Sequence, residues 1–132
     1  MNSCLGLCIL LAFASLTHAK APDIAAGRAV VLDREGGHCL LCHQIAQLKQ
    51  GSQGNIAPPL SNAGTRFTRD ELRARIANPL AFNPNTVMPA YYLTGHTIDV
   101  APAYQGRTIL TAQELDNVVA YLLTLKETDN AQ

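Results

Sequence analysis

One short motif constrains this chain more than any other part of its sequence. The motif is Cys39-Leu40-Leu41-Cys42-His43, a C-x-x-C-H pattern typical of the attachment of a c-type haem. On one turn of helix, thiols three residues apart lie on the same face and can bond the two vinyl-derived carbons of one porphyrin. The adjoining His43 can bring its imidazole to the iron. The motif therefore predicts one covalent haem c, with Cys39 and Cys42 as attachment points and His43 as an axial ligand.

Other uses of a C-x-x-C pair explain less. A structural zinc site needs four ligands, and no cysteine follows Cys42. A thioredoxin-like redox pair favours a βαβ context, whereas the periodicity of this chain is helical. A disulfide across so short a loop would leave the adjoining His43 unexplained.

The N-terminus has the pattern of a secretory signal. The apolar stretch Leu5 to Leu16 is too short to span a bilayer, and it ends at Thr17-His18-Ala19, an A-x-A-like site. We expect cleavage after Ala19, so that residues 1–19 are a signal peptide and residues 20–132 one small domain. This predicts export to the periplasm without stable insertion into the membrane.

Two early cysteines are consistent with this interpretation. Cleavage would remove Cys4 and Cys8 and leave only the C-x-x-C pair. Lipoprotein anchoring at Cys8 is the alternative, but the preceding Leu7 is bulky where a small residue is expected. Export also fits covalent haem attachment, which takes place outside the cytoplasm.

Composition narrows the possible partners and the nature of the core. Ten basic and ten acidic residues give a formal net charge of zero, which does not support nucleic-acid binding or a strongly anionic partner. The chain has no Trp and few other aromatic residues. A porphyrin, as a large flat apolar body, would supply the apolar volume that aromatic side chains often provide in a core.

The first predicted helix runs from about Asp23 to Arg34, with Pro22 and Asp23 as start signals. Gly27 lies inside it, where glycine costs about 1 kcal/mol relative to alanine, and therefore suggests a close helix crossing. The alternative is an exposed glycine that is mildly unfavourable. The candidates for burial in this helix include Ile24, Ala29 and Val30.

Two further helices begin with capping boxes, Thr68-Arg69-Asp70-Glu71 and Thr111-Ala112-Gln113-Glu114. The first of these helices places Leu72 and Ile76 on one face and ends at Asn78-Pro79. The second is predicted to have about four turns and one buried stripe. The stripe comprises Leu115, Val118, Val119, Leu122 and Leu123.

Met88 is the predicted second axial ligand of the iron. It is the only methionine besides the initiator Met1. Pro84 and Pro89 restrict the backbone on either side, so the loop can carry the thioether to the iron with little freedom. The alternative is that Met88 fills a gap in the core. His96 is the rival ligand, whereas His38 should point away from the iron that His43 reaches.

Two other features suggest contacts with a partner. The arginines 66, 69, 73 and 75 could form a docking face or bind haem propionates, and the alternative is an ordinary solvated helix face. The segment from Tyr92 to Arg107 is long for a connection in a compact domain and shows no sustained periodicity. We interpret it as a partner-contact loop.

The helices and the haem motif together resemble the class I cytochrome c fold, an all-α fold with three main helices and loops around one haem. In that fold the first and last helices cross with a small residue facing an aromatic one, and Gly27 and Tyr121 would take those places. Pro58 looks like the proline whose carbonyl accepts a hydrogen bond from the proximal histidine, here His43. Such a bond would fix the ring and raise its basicity.

Several stretches more narrowly resemble the SoxX family, the monohaem c-type subunit of the SoxAX cytochromes. The similarity as a whole runs, in order, through most of the chain after the signal. One departure is Ala57, where the family more often has glycine before the double proline. The stretches are Gly37–Ile45, Gly54–Leu60, Asn83–Tyr91 and Ile109–Leu122.

The resemblance implies an electron-transfer subunit in periplasmic thiosulfate oxidation. A SoxA-like partner would carry the catalytic haem, a SoxYZ-like carrier would receive the thiosulfate, and a small soluble cytochrome would accept the electrons. The complex would act as an L-cysteine S-thiosulfotransferase, with no catalysis on the haem of this chain. A free-standing electron shuttle and a ligand-binding or peroxidatic haem protein are the alternatives.

Overall fold

The computed structural model describes residues 20–49, 51–95, 102 and 105–126. Within these residues the secondary structure is helical and contains no strand, which confirms the predicted all-α class. The predicted signal peptide and His96 lie outside the described residues. The elements are α1 (Ile24–Leu32), α2 (Cys39–Cys42), α3 (Ala63–Arg66), α4 (Arg69–Ala77), a 3-10 turn (Pro79–Ala81) and α5 (Ala112–Thr124).

The first and last long helices, α1 and α5, form the most extensive helix pair in the described structure. They cross at Gly27, where a Cβ atom would overlap the carbonyl group of Asn117. The buried Asn117 side chain also accepts a hydrogen bond of 2.8 Å from the backbone N–H of Asp23. One turn further along α5, Tyr121 is buried near Arg28 of α1, whose charge partly offsets the rise in the pKa of Tyr121 that burial causes. The close crossing predicted from Gly27 is therefore present.

The buried face of α1 differs from the prediction. Val31 is 1% exposed and Val30 is partly buried, but Ile24 is 50% exposed and Ala29 is exposed, so these last two expectations were wrong. Successive helical residues are rotated by about 100°, which puts Ala29 roughly opposite the face that carries Gly27 and Val31. The contact with α5 sets that face, and the sequence of α1 alone does not.

Both predicted capping boxes are present. The Thr68 hydroxyl accepts from the backbone of Glu71, and the Glu71 carboxylate accepts from the Thr68 N–H at 2.8 Å. Hydrogen bonds donated to the Glu71 carboxylate, first by the Thr68 backbone N–H and then by the Thr68 hydroxyl at 2.9 Å, lower the pKa of Glu71. Thr111 and Glu114 make the same reciprocal pair at the start of α5. Because each box satisfies N–H groups that helix termini leave unpaired, both helices start where predicted.

The remaining helices pack onto α5. Asn78 ends α4, and Pro79 begins the 3-10 turn. Gly64 of α3 donates its N–H to the carbonyl of Leu125 at 2.9 Å. The side chains of α4 and α5 that form the core include Leu72, Ile76, Leu115, Val118, Val119 and Leu122. None of the described helices combines the length and apolar character that crossing a bilayer requires.

Replacing Gly27 with alanine should destabilise the haem-loaded protein by about 1–3 kcal/mol. The added methyl group would overlap the Asn117 carbonyl, which can move only if α5 shifts with it. The free energy of unfolding in denaturant measures the effect. Ala25→Ser adds one heavy atom at an exposed position of the same helix and should change stability by about 0.5 kcal/mol at most. A Gly27→Ala variant as stable as wild type would contradict the crossing.

Candidate haem site

The C-x-x-C residues themselves form α2, a single helical turn, and both thiols are free and partly buried. The chain enters this turn through His38, which is exposed and has a left-handed backbone with φ of 53°. The Cys39 Sγ lies 3.5 Å from the carbonyl oxygen of Gly37. Burial, and to a lesser degree the neighbouring Cys42, raise the pKa of the Cys39 thiol to about 11. The Cys39 sulfur therefore lies in an apolar setting, which suits a bond to the edge of a porphyrin.

His43 follows α2 directly, and its ring is oriented by one hydrogen bond. Its Nδ1 lies 2.7 Å from the backbone carbonyl oxygen of Pro58. Because a carbonyl only accepts, Nδ1 must carry the proton and donate. The other ring nitrogen, Nε2, is therefore the one that can offer its lone pair to a metal.

Backbone contacts fix the loop that carries Pro58 against α2. Gly54 donates its N–H to the carbonyl of Leu40 at 2.8 Å, and Ala57 donates to the carbonyl of Cys42 at 3.0 Å. A Cβ atom at Gly54 would overlap the backbone of Leu41. The backbone of Ala57 is outside the left-handed region, so alanine fits at the position where the resemblance suggests glycine. This loop therefore holds the Pro58 carbonyl at the His43 ring.

Met88 lies in a short turn and is partly buried against the hydrophobic core. Its backbone N–H donates to the hydroxyl of Thr86 at 3.1 Å, and the Thr86 N–H donates to the carbonyl of Asn83 at 3.1 Å. The preceding Val87 is 88% exposed. The turn thus directs Met88 toward the protein interior while its neighbour faces solvent.

A residue that the sequence reasoning missed joins this turn to the haem-attachment segment. The hydroxyl of Tyr91 donates a 2.6 Å hydrogen bond to the carbonyl of Gly37. Tyr91 is three residues after Met88, and Gly37 is two residues before Cys39. The structure therefore brings the Met88 segment and the C-x-x-C turn together. The pair of tyrosines, Tyr91 and Tyr92, that follows Met88-Pro89 was the only local sign of this contact in the sequence.

Two orphaned polar atoms test whether a haem suits these surroundings. Arg75 Nε and Asn78 Oδ1 are buried without a hydrogen-bond partner. The Arg75 guanidinium also lies over the rings of Phe67 and Phe82, at 4.9 and 4.5 Å from their centroids. Buried polar groups normally have partners, and a haem propionate is an acceptor that Arg75 could bind. Asn78 can rotate its amide to donate as well, so these residues fit the group.

The other arginines have separate partners. Arg66 donates to the carbonyl of Pro59 at 2.7 Å, and Arg73 forms a 2.8 Å ion pair with Asp116 of α5. Arg69 is exposed at the start of α4. The four arginines therefore have different surroundings, and among them Arg75 is the one with a buried nitrogen that lacks a hydrogen-bond partner.

Among the described residues, side chains by themselves form no cluster that could bind a metal ion. No group of three or more histidine, cysteine or acidic residues within the described ranges is arranged to hold a metal ion. Zinc bound by the C-x-x-C pair therefore has no supporting ligands in that part of the chain.

Comparison with known proteins agrees with this geometry. A family model for cytochrome c matches residues 24–126. The chain also matches a solved structure described as SoxXA from P. pantotrophus, with 37% sequence identity and a TM-score of 0.74. That match covers 86% of this chain and 88% of the other. A search of curated protein sequences found no match.

The chain belongs to the cytochrome c family, and its helices have the class I cytochrome c arrangement. Membership of this family implies a covalently bound haem c, for which Cys39 and Cys42 provide the C-x-x-C pair. Within the family, the structural match confirms the resemblance found in the sequence. The protein is a SoxX-type cytochrome.

Replacing Gly54 with alanine should reduce covalent haem attachment by about half or more, since the added Cβ forces α2 and the Pro58 loop apart. Pyridine haemochrome absorbance per unit of purified protein measures the attachment. Gly51→Ala is the matched control, because a Cβ there meets nothing within 4 Å. Equal haem content in the two variants would show that the close approach of Gly54 to Leu41 is unnecessary.

Proposed function

We propose that this chain is the electron-transfer subunit of a SoxAX-type complex that oxidises thiosulfate in the periplasm. The observation that carries the proposal is the match to a SoxXA chain along most of both sequences. The order of the motifs supports it, since the haem turn, the double-proline loop, the Met88 turn and α5 follow one another as in the SoxX family. The partner would be a SoxA-like cytochrome in a heterodimer.

The chain's own residues would hold one haem through covalent bonds, iron ligands and a contact with a propionate. Cys39 and Cys42 would attach it covalently, and His43 and Met88 would be the two axial ligands. A haem with these ligands exchanges single electrons at its iron. Pro58 fixes the His43 ring through the 2.7 Å hydrogen bond and makes the imidazole a stronger donor to the metal. Arg75, with its buried unpaired Nε, would bind a propionate.

Methionine as the sixth ligand suits an electron carrier. Axial-ligand identity moves haem potentials over a range of about 0.8 V, and His/Met ligation lies toward the high end. A filled sixth position also excludes oxygen and peroxide. We therefore assign no catalysis to this chain; conjugation of thiosulfate to a SoxYZ-like carrier would occur on the SoxA-like subunit.

This role places the chain outside the cytoplasm. Residues 1–19 would be the signal peptide, cleaved after Ala19, and residues 20–132 the cytochrome domain. Electrons released by the conjugation would pass through this subunit to a small soluble cytochrome. The segment from Tyr92 to Arg107 remains our candidate for contact with the SoxA-like subunit.

Met88→Ala should abolish the long-wavelength absorption band of a methionine–ferric iron bond and lower the reduction potential, because the thioether that favours ferrous iron is lost. Carbon monoxide should bind the reduced variant rapidly and the reduced wild type slowly. Absorption spectroscopy and a redox titration measure these effects. Val87→Ala, at the exposed neighbour of Met88 in the same turn, is a control that keeps the thioether and its backbone contacts. Rapid binding of carbon monoxide to wild type would instead indicate a ligand-binding haem protein.

Co-expression tests the assignment to a complex. This chain, tagged and produced in a periplasm with a SoxA-like cytochrome, should copurify with it in equal amounts, as seen by haem staining of each band. The pair, supplied with a SoxYZ-like carrier, should transfer electrons from thiosulfate to a soluble cytochrome c. A tagged class I cytochrome of respiration serves as the control. A haem-loaded chain that purifies alone as a monomer would favour the free-standing shuttle.

A further inference from the structure

Tyr91 is a buried residue that links three parts of the described structure. Its side chain is 6% exposed, and its hydroxyl donates to the carbonyl of Gly37 across 54 positions of sequence. Its own backbone N–H donates to the carbonyl of Ile76 at the end of α4, at 3.2 Å. Its carbonyl accepts from the N–H of Leu110 just before α5, at 3.0 Å. Both ends of the residue are therefore fixed to the helical frame.

The acceptor of the phenol bond is equally well fixed. Gly37 is buried, and a Cβ atom there would overlap the carbonyl of Val30 in α1. The same Gly37 carbonyl lies 3.5 Å from the Cys39 Sγ. Displacement of this peptide would therefore shift the start of α2. The Tyr91 hydroxyl thus bonds a rigid point next to the first attachment cysteine.

The bond also limits the freedom of the Met88 turn. On one side, the Met88 N–H is held by the Thr86 hydroxyl. On the other side, Pro89 and Ala90 separate Met88 from the anchored Tyr91, and Pro89 has a fixed φ. With two residues between the anchor and the ligand, a shift of Tyr91 moves the Met88 backbone with it.

We propose that Tyr91 is a positioning residue for the axial thioether. Its hydroxyl hydrogen-bonds the Gly37 carbonyl and so holds the Met88 turn at a constant distance from the segment that carries Cys39 and Cys42. The hydrogen bond favours the state with Met88 on the iron over the state in which the turn swings away. This role rests on the proposed ligation by Met88 and adds a residue to it.

Tyr91→Phe in the haem-loaded protein tests the role, because it removes one oxygen and keeps the ring in the core. An external ligand, imidazole, competes with Met88 for ferric iron, and loss of the methionine–iron absorption band reports its binding. We expect imidazole to bind Tyr91→Phe about three- to tenfold more tightly than wild type, the size of effect that one buried hydrogen bond produces. Tyr92→Phe removes the same atom from the half-exposed neighbour and should leave the affinity within about twofold of wild type.

Denaturant unfolding of the same proteins separates positioning from plain stability. A lower unfolding midpoint for Tyr91→Phe with unchanged imidazole affinity would overturn the proposal, since the bond would then stabilise the fold without restraining Met88. An equal gain in affinity for Tyr92→Phe would overturn it as well. If wild type and Met88→Ala had the same ferric spectrum, the ligand assignment itself would be wrong, and the role of Tyr91 would end with it. If wild type shows the methionine–iron absorption band and Tyr91→Phe binds imidazole no more tightly than wild type, only the role of Tyr91 is refuted.

Discussion

Direct contact between peptide groups on both sides of α2 is the constraint on which the haem site depends. Gly37 lies against the backbone of Val30 before the turn, and Gly54 lies against the backbone of Leu41 from the following loop. Neither approach is possible with a side chain in place. Since a covalently attached haem takes its position from the two cysteines, the placement of α2 between these peptides decides where the iron lies and which side chains can reach it.

The crossing of α1 and α5 supplies the frame for that placement. Gly27 brings α1 onto the backbone of α5, and the buried Asn117 side chain accepts a hydrogen bond from the N–H of Asp23 at the start of α1. The same helix, α1, supports Gly37 through Val30. The first and last helices of the domain are thus joined, and α1 also contacts the segment that leads into α2. Stability of the helix pair and geometry of the haem site are for this reason coupled.

Sequence reasoning succeeded where the determining contacts are local. The capping boxes at Thr68 and Thr111 close within three residues, and the C-x-x-C-H spacing acts within one helical turn. It failed for Ile24 and Ala29, because the buried face of α1 is chosen by a helix far along the chain. The Tyr91–Gly37 bond and the unpaired Arg75 Nε were also missed, or left among alternatives, because they depend on packing between distant segments. Only the family resemblance pointed to Pro58 beside His43.

The pairing of Tyr91 with Leu110 has a consequence for how this protein can diversify. The N–H of Leu110 donates to the carbonyl of Tyr91, so the two ends of the segment between them are held together. The entropy of closing a loop between fixed ends grows only slowly with its length, so a longer segment between these two residues should cost little stability. Insertions at this point would therefore leave the anchored Tyr91, and the Met88 turn before it, in place.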